Sequence, residues 1–142
     1  MKITIIAVGK LKEKLYEKRI NEYLKWINKN TTIELILIKD NTQKKINNKL
    51  LSYIKPHHYV ICMSEEGEEF SSIQLSKFIN KINQNLIFLI GGPGGHSSLI
   101  KRESTKTLSL SKLTFPHEMS LLILTEQIYR SFSIMNKRKY HR

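Results

Sequence analysis

The stretch LIFLIGGPGGHS, residues 86–97, sets five apolar residues ahead of four of the chain's six glycines, with one proline among them and a histidine after. Five apolar residues closed by glycine read as a short buried strand, Leu86–Ile90. Glycine gives up more backbone freedom on ordering than any other residue, so four together mark a place where side chains would obstruct something. Two readings stand: a tight turn, or a ligand that touches main chain. The loop leaves the carboxyl end of a strand, which is where open parallel sheets collect ligands.

Outward from this loop the same alternation repeats. Lys2–Val8 (KITIIAV), 33–38 (IELILI), 59–63 and a short run at 107–113 read as further strands. Residues 12–28 carry Tyr16, Ile20, Tyr23, Leu24 and Ile27 on one helical stripe with lysines opposite. A thinner helix spans 41–54 and stops before Pro56. Ser71 or Ser72 caps a helix with Leu75, Phe78, Ile79 and Ile82 at i, i+3, i+4 and i+7. A long last helix spans 118–135, and its start, with Met119, Leu121, Leu122, Ile123 and Leu124, is apolar nearly all round, which demands burial in a core or an interface. Strands alternating with helices predict an α/β fold, a parallel sheet flanked by helices, in one domain over 1–142.

The glycine loop fails three familiar fingerprints. Starting at Gly92, the dinucleotide pattern G-x-G-x-x-G ends on Ser97; starting at Gly91, it meets Pro93. The P-loop pattern around Gly9–Lys10 has Thr4 and Leu11 at two of its required positions. No G-x-S-x-G elbow is present. A second unusual stretch, LSLSKLTFPHEM at 108–119, alternates apolar and hydroxyl residues before Pro116 and a helix. Two such loops at adjacent strand ends form walls of one slot, its hydrogen bonds supplied mostly by main chain. That suits an adenine edge and a positive centre.

Composition narrows the partners. With 24 Lys and Arg against 12 Asp and Glu the net charge is +12, and the basic residues are spread over broad faces. Such an excess attracts polyanions, nucleic acid first and an anionic membrane surface second. No apolar run approaches the ~20 residues of a membrane span, and the N-terminus shows no cleavage signal, so a cytoplasmic protein is expected. Cys62 is the only cysteine and sits in a strand-like run, which predicts an inert buried thiol in a reducing compartment. His57 and His58 have no acidic or cysteine partner at ligand spacing, and no metal is expected. Glu65, Glu66, Glu68 and Glu69 around Gly67 read as a solvated turn beside the slot.

Five motifs in order, AVGKLKEK at 7–14, LIGGPGG at 89–95, LSLSKLTFPHEM, EQIYRSFSIM at 126–135 and the terminal Tyr-His-Arg, resemble the single-domain rRNA methyltransferases of the SPOUT superfamily. Within it they resemble the branch that methylates N3 of a pseudouridine in large-subunit 23S rRNA. The resemblance covers nearly the whole chain, with a shortened stretch around 40–56. It implies S-adenosylmethionine as methyl donor and a C-terminal part tied into a deep trefoil knot, a rare exception to the rule against threaded loops. It further implies a homodimer with cofactor pockets at the subunit interface, acting on the 70S ribosome. The cofactor set it implies is Met63, Gly91, Gly92, Gly95, Leu110, Ser111, Lys112, Leu113, Thr114 and Phe115, the glycines keeping Cβ atoms out of the cofactor's space. Gly94 stands where the family has an acidic or amide residue, and Leu121 where it has an arginine. Residues 136–139 lack the family's glycine or proline.

Methyl transfer from a sulfonium needs an aligned nucleophile, a dry site and removal of a ring-nitrogen proton. His117, Glu126, Arg130, Tyr140 and His141 are the candidates for that proton and for holding the base. Taken alone, His117 is equally a first-turn helix residue, Glu126 and Arg130 a surface pair at i, i+4, and Tyr140 and His141 a frayed end. Only the resemblance raises Tyr140 and His141 to site residues, ordered by a partner subunit or by RNA. Methylation at another RNA position, as in tRNA, and a non-catalytic RNA-binding ribosome factor remain open alternatives.

Overall fold

A computed structural model describes residues 1–142. Its strands are β1 (Lys2–Val8), β2 (Thr32–Ile38), β3 (Tyr59–Glu69), β4 (Leu86–Ile90) and β5 (Lys106–Ser109). The helices are α1 (Lys14–Ile27), α2 (Gln43–Tyr53), α3 (Ser72–Lys81), α4 (Ser98–Glu103) and α5 (His117–Met135). All five strands pair in parallel in the order β2-β1-β4-β3-β5. The chain leaves β1 toward one edge and β4 toward the other, so the β1/β4 boundary is the switch point where such sheets open a crevice.

Burial follows the two-residue period of a strand. Leu86, Phe88 and Ile90 join Ile3 and Ile5 in one core with residues of α1, α3 and α5. Ile87 and Leu89 join Ile6 and Val8 in a second core with residues of α2 and α4. With both faces covered, every residue of β4 is buried, which is why its sequence is uniformly apolar. Caps fix the helix starts: Ser71 and Gln74 form a reciprocal capping box on α3, and Thr42 Oγ1 accepts from the Lys45 amide on α2.

The structure corrects three expectations. The acidic stretch is not a turn but the far half of β3, which resumes pairing with β5 after a register shift between Met63 and Glu68. Gly67 permits this, since a Cβ there would lie 2.6 Å from the Leu108 carbonyl carbon. Lys106 and Lys101 pair with Glu68 and Glu66 at 3.3 and 3.1 Å and offset the like charge along the edge. Second, β5 ends at Ser109, four residues short of expectation, because Ser109 Oγ donates to the Ser111 carbonyl at 2.7 Å and turns the chain. Third, the terminus is held by its own chain, where order from a partner subunit or RNA was expected. Lys137 adopts φ +54°, its amide donates to the Ile134 carbonyl and that of Arg138 to the Ser133 carbonyl. That double bond is a Schellman ending, built here without the usual glycine.

The start of α5 is buried on one side only. Leu121, Leu124 and Ile128 are sealed in the core, while Leu122 and Ile123 keep partial exposure. Leu121 therefore contributes packing and no polar contact. Cys62 is fully buried, and burial pushes its thiol up to about 11, as an inert cysteine requires.

Candidate active site

A cleft of about 580 Å³ opens at the carboxyl end of β4 and beside the register shift within β3. Met63, Ser64 and Glu65 of β3 form one wall, and Ile90, Gly91, Gly92, Pro93, Gly95 and His96 a second. Leu110, Ser111, Leu113, Thr114, Phe115 and Pro116 supply the third, and His117 and Ser120 close it from the first turn of α5. Nine of the ten expected cofactor residues thus line one space. Lys112 does not: its side chain is exposed outside the lining.

The glycines have a nearer purpose than clearing room for a ligand. Gly95 N donates to the Gly92 carbonyl at 2.9 Å, closing a tight turn with Pro93 at its second position. A Cβ on Gly91 would stand 2.9 Å from the Gly95 carbonyl carbon, and one on Gly92 would stand 3.2 Å from Val8. Gly95 itself takes φ +69°, which few other residues adopt. The loop thus folds on itself, and its compactness leaves the cleft open. His96 Nε2 donates to the Leu89 carbonyl at 3.1 Å, and burial lowers the pKa of the ring, so it stands as a neutral group on the cleft wall.

Electrostatics single this cleft out. None of the chain's 24 Lys and Arg residues lines it, and its one carboxylate is Glu65. Apolar side chains, glycines and hydroxyls make up most of the rest.

The five candidate catalytic residues fall into two groups. His117 alone reaches the cleft, its Nε2 3.1 Å from the Lys10 carbonyl. Glu126 lies nine residues further along α5, about 13 Å at 1.5 Å per residue. There Arg130 Nη2 meets Glu126 Oε1 at 2.6 Å, Tyr140 donates to the same oxygen at 3.1 Å, and Arg130 Nη1 donates to His141 Nδ1 at 3.0 Å. The guanidinium also lies over the Tyr140 ring, 4.8 Å from its centroid. Hydrogen bonding to Glu126 raises the Arg130 pKa, and burial raises that of the Tyr140 phenol. This exceeds an ordinary surface pair: one chain orders all four residues and the tail with them.

Two contributors were not singled out in the sequence. Gly9, at φ +112°, gives its Cβ space to the His117 ring, and Glu118 Oε1 accepts from the main-chain amides of Lys12 and Glu13 at 2.5 and 3.0 Å. A glycine directly after β1 was the available signal for the first. Glu118 left none beyond being an acid in a first turn.

A family model described as "Predicted SPOUT methyltransferase" matches residues 1–141. Proteins named ribosomal RNA large subunit methyltransferase H are similar over their whole length. That of Clostridium botulinum is 39% identical, with all of both chains covered. That of Prochlorococcus marinus is 40% identical over 97% of this chain and 94% of its own. Among solved structures, a probable methylase family protein from Haemophilus influenzae superposes with a TM-score of 0.60 at 8% identity, covering 99% of this chain and 70% of that one. The SpoU methyltransferase AviRb from Streptomyces viridochromogenes, solved with AdoMet, gives 0.52 at 8% identity over 92% of this chain and 58% of its own. At that identity the structures speak for the fold alone.

Proposed function

The chain belongs to the SPOUT methyltransferase family, and from that premise we propose that it methylates N3 of a pseudouridine in 23S rRNA, with S-adenosylmethionine as donor. On this reading it works as a homodimer on the assembled 70S ribosome in the cytoplasm, and its C-terminal part is tied into a deep trefoil knot. The names of its relatives support the large-subunit rRNA as substrate. One observation carries the donor: in a chain of charge +12, the cleft beyond β4 has no Lys or Arg on its walls and one carboxylate.

S-adenosylmethionine, when bound, supplies a methyl group carried on a positively charged sulfur. The residues present suit such a ligand: 580 Å³ accommodates a nucleoside and its tail, and the wall lacks any Lys or Arg to repel the sulfonium. Met63, Leu110, Leu113 and Phe115 give apolar surface. Gly91, Gly92, Gly95, Ser111 and Thr114 add small and hydroxyl surface to the wall, while Lys112 lies outside the lining.

His117 stands at the cleft as the group able to take the N3 proton, because an imide nitrogen attacks only as its proton leaves. Glu126, Arg130, Tyr140 and His141 hold the target base and its phosphate. They sit far down α5 from the cleft of their own chain, so a two-fold dimer in which the tail of one subunit meets the cleft of the other reunites the set. The partly exposed Leu122 and Ile123 on α5 suit that interface. Exposed basic residues bind rRNA phosphates, so affinity falls steeply with salt as counterions are released.

The test is nucleoside mass spectrometry of rRNA from cells lacking the protein. Loss of one methylated pseudouridine, restored by the wild-type gene, is the expected result; an unchanged spectrum overturns the reading.

A further inference from the structure

His117 is the one imidazole in the cleft that borders the β1–α1 connection, and its orientation is set from outside the cleft. We infer that Glu118 and Gly9 are positioning residues that fix the His117 ring with Nε2–H on the Lys10 carbonyl, leaving Nδ1 as its only lone pair for whatever occupies the cleft. The inference rests on the proposed function for why that lone pair matters, and on geometry alone for how it is set.

A carbonyl oxygen only accepts, so at 3.1 Å His117 Nε2 must carry the hydrogen. In the neutral ring Nδ1 is then bare. The Lys10 carbonyl belongs to the connection between β1 and α1, so the ring is only as well placed as that connection. Two bonds hold it. Gly9 N donates to the Ile38 carbonyl at 2.8 Å, and Glu118 takes the amides of Lys12 and Glu13.

Helix α1 has no cap of its own: Glu13 stands at its N-cap and makes no side-chain capping bond. Glu118 therefore takes the amides of the N-cap residue and of the one before it from more than a hundred residues away. It is also the neighbour of His117, so one turn of α5 carries both the ring and the anchor of the carbonyl against which the ring leans. Gly9 completes the arrangement, since a Cβ there would stand 2.8 Å from His117 Nε2 and φ +112° excludes most side chains. A helix anchor alone would need neither the ring contact nor the missing Cβ.

Protein labelled with 15N-histidine, the His117 signals assigned by their loss in His117→Gln, reports the tautomer directly. Wild-type protein should show a protonated Nε2 and a bare Nδ1. In Glu118→Ala the two signals should move toward averaged values. The kcat for rRNA methylation should fall about tenfold to a hundredfold, the scale of a small misplacement of a reacting group. The KM for S-adenosylmethionine should stay within about twofold, and Glu118→Gln, which keeps an acceptor, should recover most of kcat. Gly9→Ala should displace the ring in the same way. A wild-type Nδ1–H tautomer overturns the inference. So do unchanged ring signals and kcat in Glu118→Ala that melts lower, which would leave an anchor and nothing more. If wild-type protein methylates no rRNA, the proposed function fails, while the ring signals still decide whether Glu118 and Gly9 set the tautomer.

Discussion

Replacing Glu65 by glutamine removes the only carboxylate lining the cleft and barely alters its shape. The magnitude follows from where Glu65 sits. Its side chain is exposed at the register shift within β3, so the effective dielectric is near that of water and not that of an interior. A unit charge about 5 Å from the carboxylate then gains ~0.8 kcal/mol, rising to ~3 if the surroundings behave as a protein surface. Exposure argues for the lower end, about 1 kcal/mol, or roughly fivefold in affinity. The donor and its demethylated product, S-adenosylhomocysteine, differ by one methyl and the positive charge on sulfur. Titration calorimetry with both ligands on wild-type and Glu65→Gln protein therefore isolates that charge. The Kd for the donor should rise roughly fivefold in the variant, and the Kd for the product should change by less than about twofold. The donor effect should shrink in high salt, as a partly solvated interaction must. Equal changes for the two ligands, or none, would refute the electrostatic account of the cleft.

Other outcomes follow from single features. Lys137→Gly should stabilise the protein by ~1 kcal/mol, seen as a Tm a few degrees higher, because a left-handed lysine costs about that much at a helix end. Cys62 should resist thiol reagents in the folded protein at pH 8 and react only on denaturation, since its thiol is buried and pushed up to about 11. The Glu118 carboxyl lies below its ordinary value because it accepts the Glu13 amide, so its stabilisation is present above pH 4.5 and is lost as acid protonates it in the folded state. Thermal melts between pH 6 and 3 should thus fall more steeply for wild type than for Glu118→Gln.

The order of strands and helices was legible because both faces of the sheet are covered. Leu86–Ile90 needs apolar residues throughout, and its glycine loop marks where it stops. What escaped reading depends on distant partners. Four glutamates around Gly67 look like a solvated turn until β5 lies beside them with Lys106 and Leu108 at the right register. The hydroxyls at 109 and 111 bend a run whose alternation promised a longer strand. Most of the cleft wall was readable as glycine and hydroxyl loops at strand ends, but the two strands are not neighbours, since β3 lies between β4 and β5. The purpose of Gly91 and Gly92 was not, since their missing Cβ atoms make room for Gly95 and Val8. His117 and Glu126 were separable by helical spacing alone, but the packing of Glu118 and Gly9 around His117 joins parts of the chain more than a hundred residues apart.

The account is tested most directly by incubating the purified protein with S-adenosylmethionine carrying an isotopically labelled methyl group and ribosomes from cells that lack the protein. Label should appear on N3 of one pseudouridine of 23S rRNA and should be lost with His117→Gln. Label on tRNA, on another rRNA position, or nowhere would contradict it.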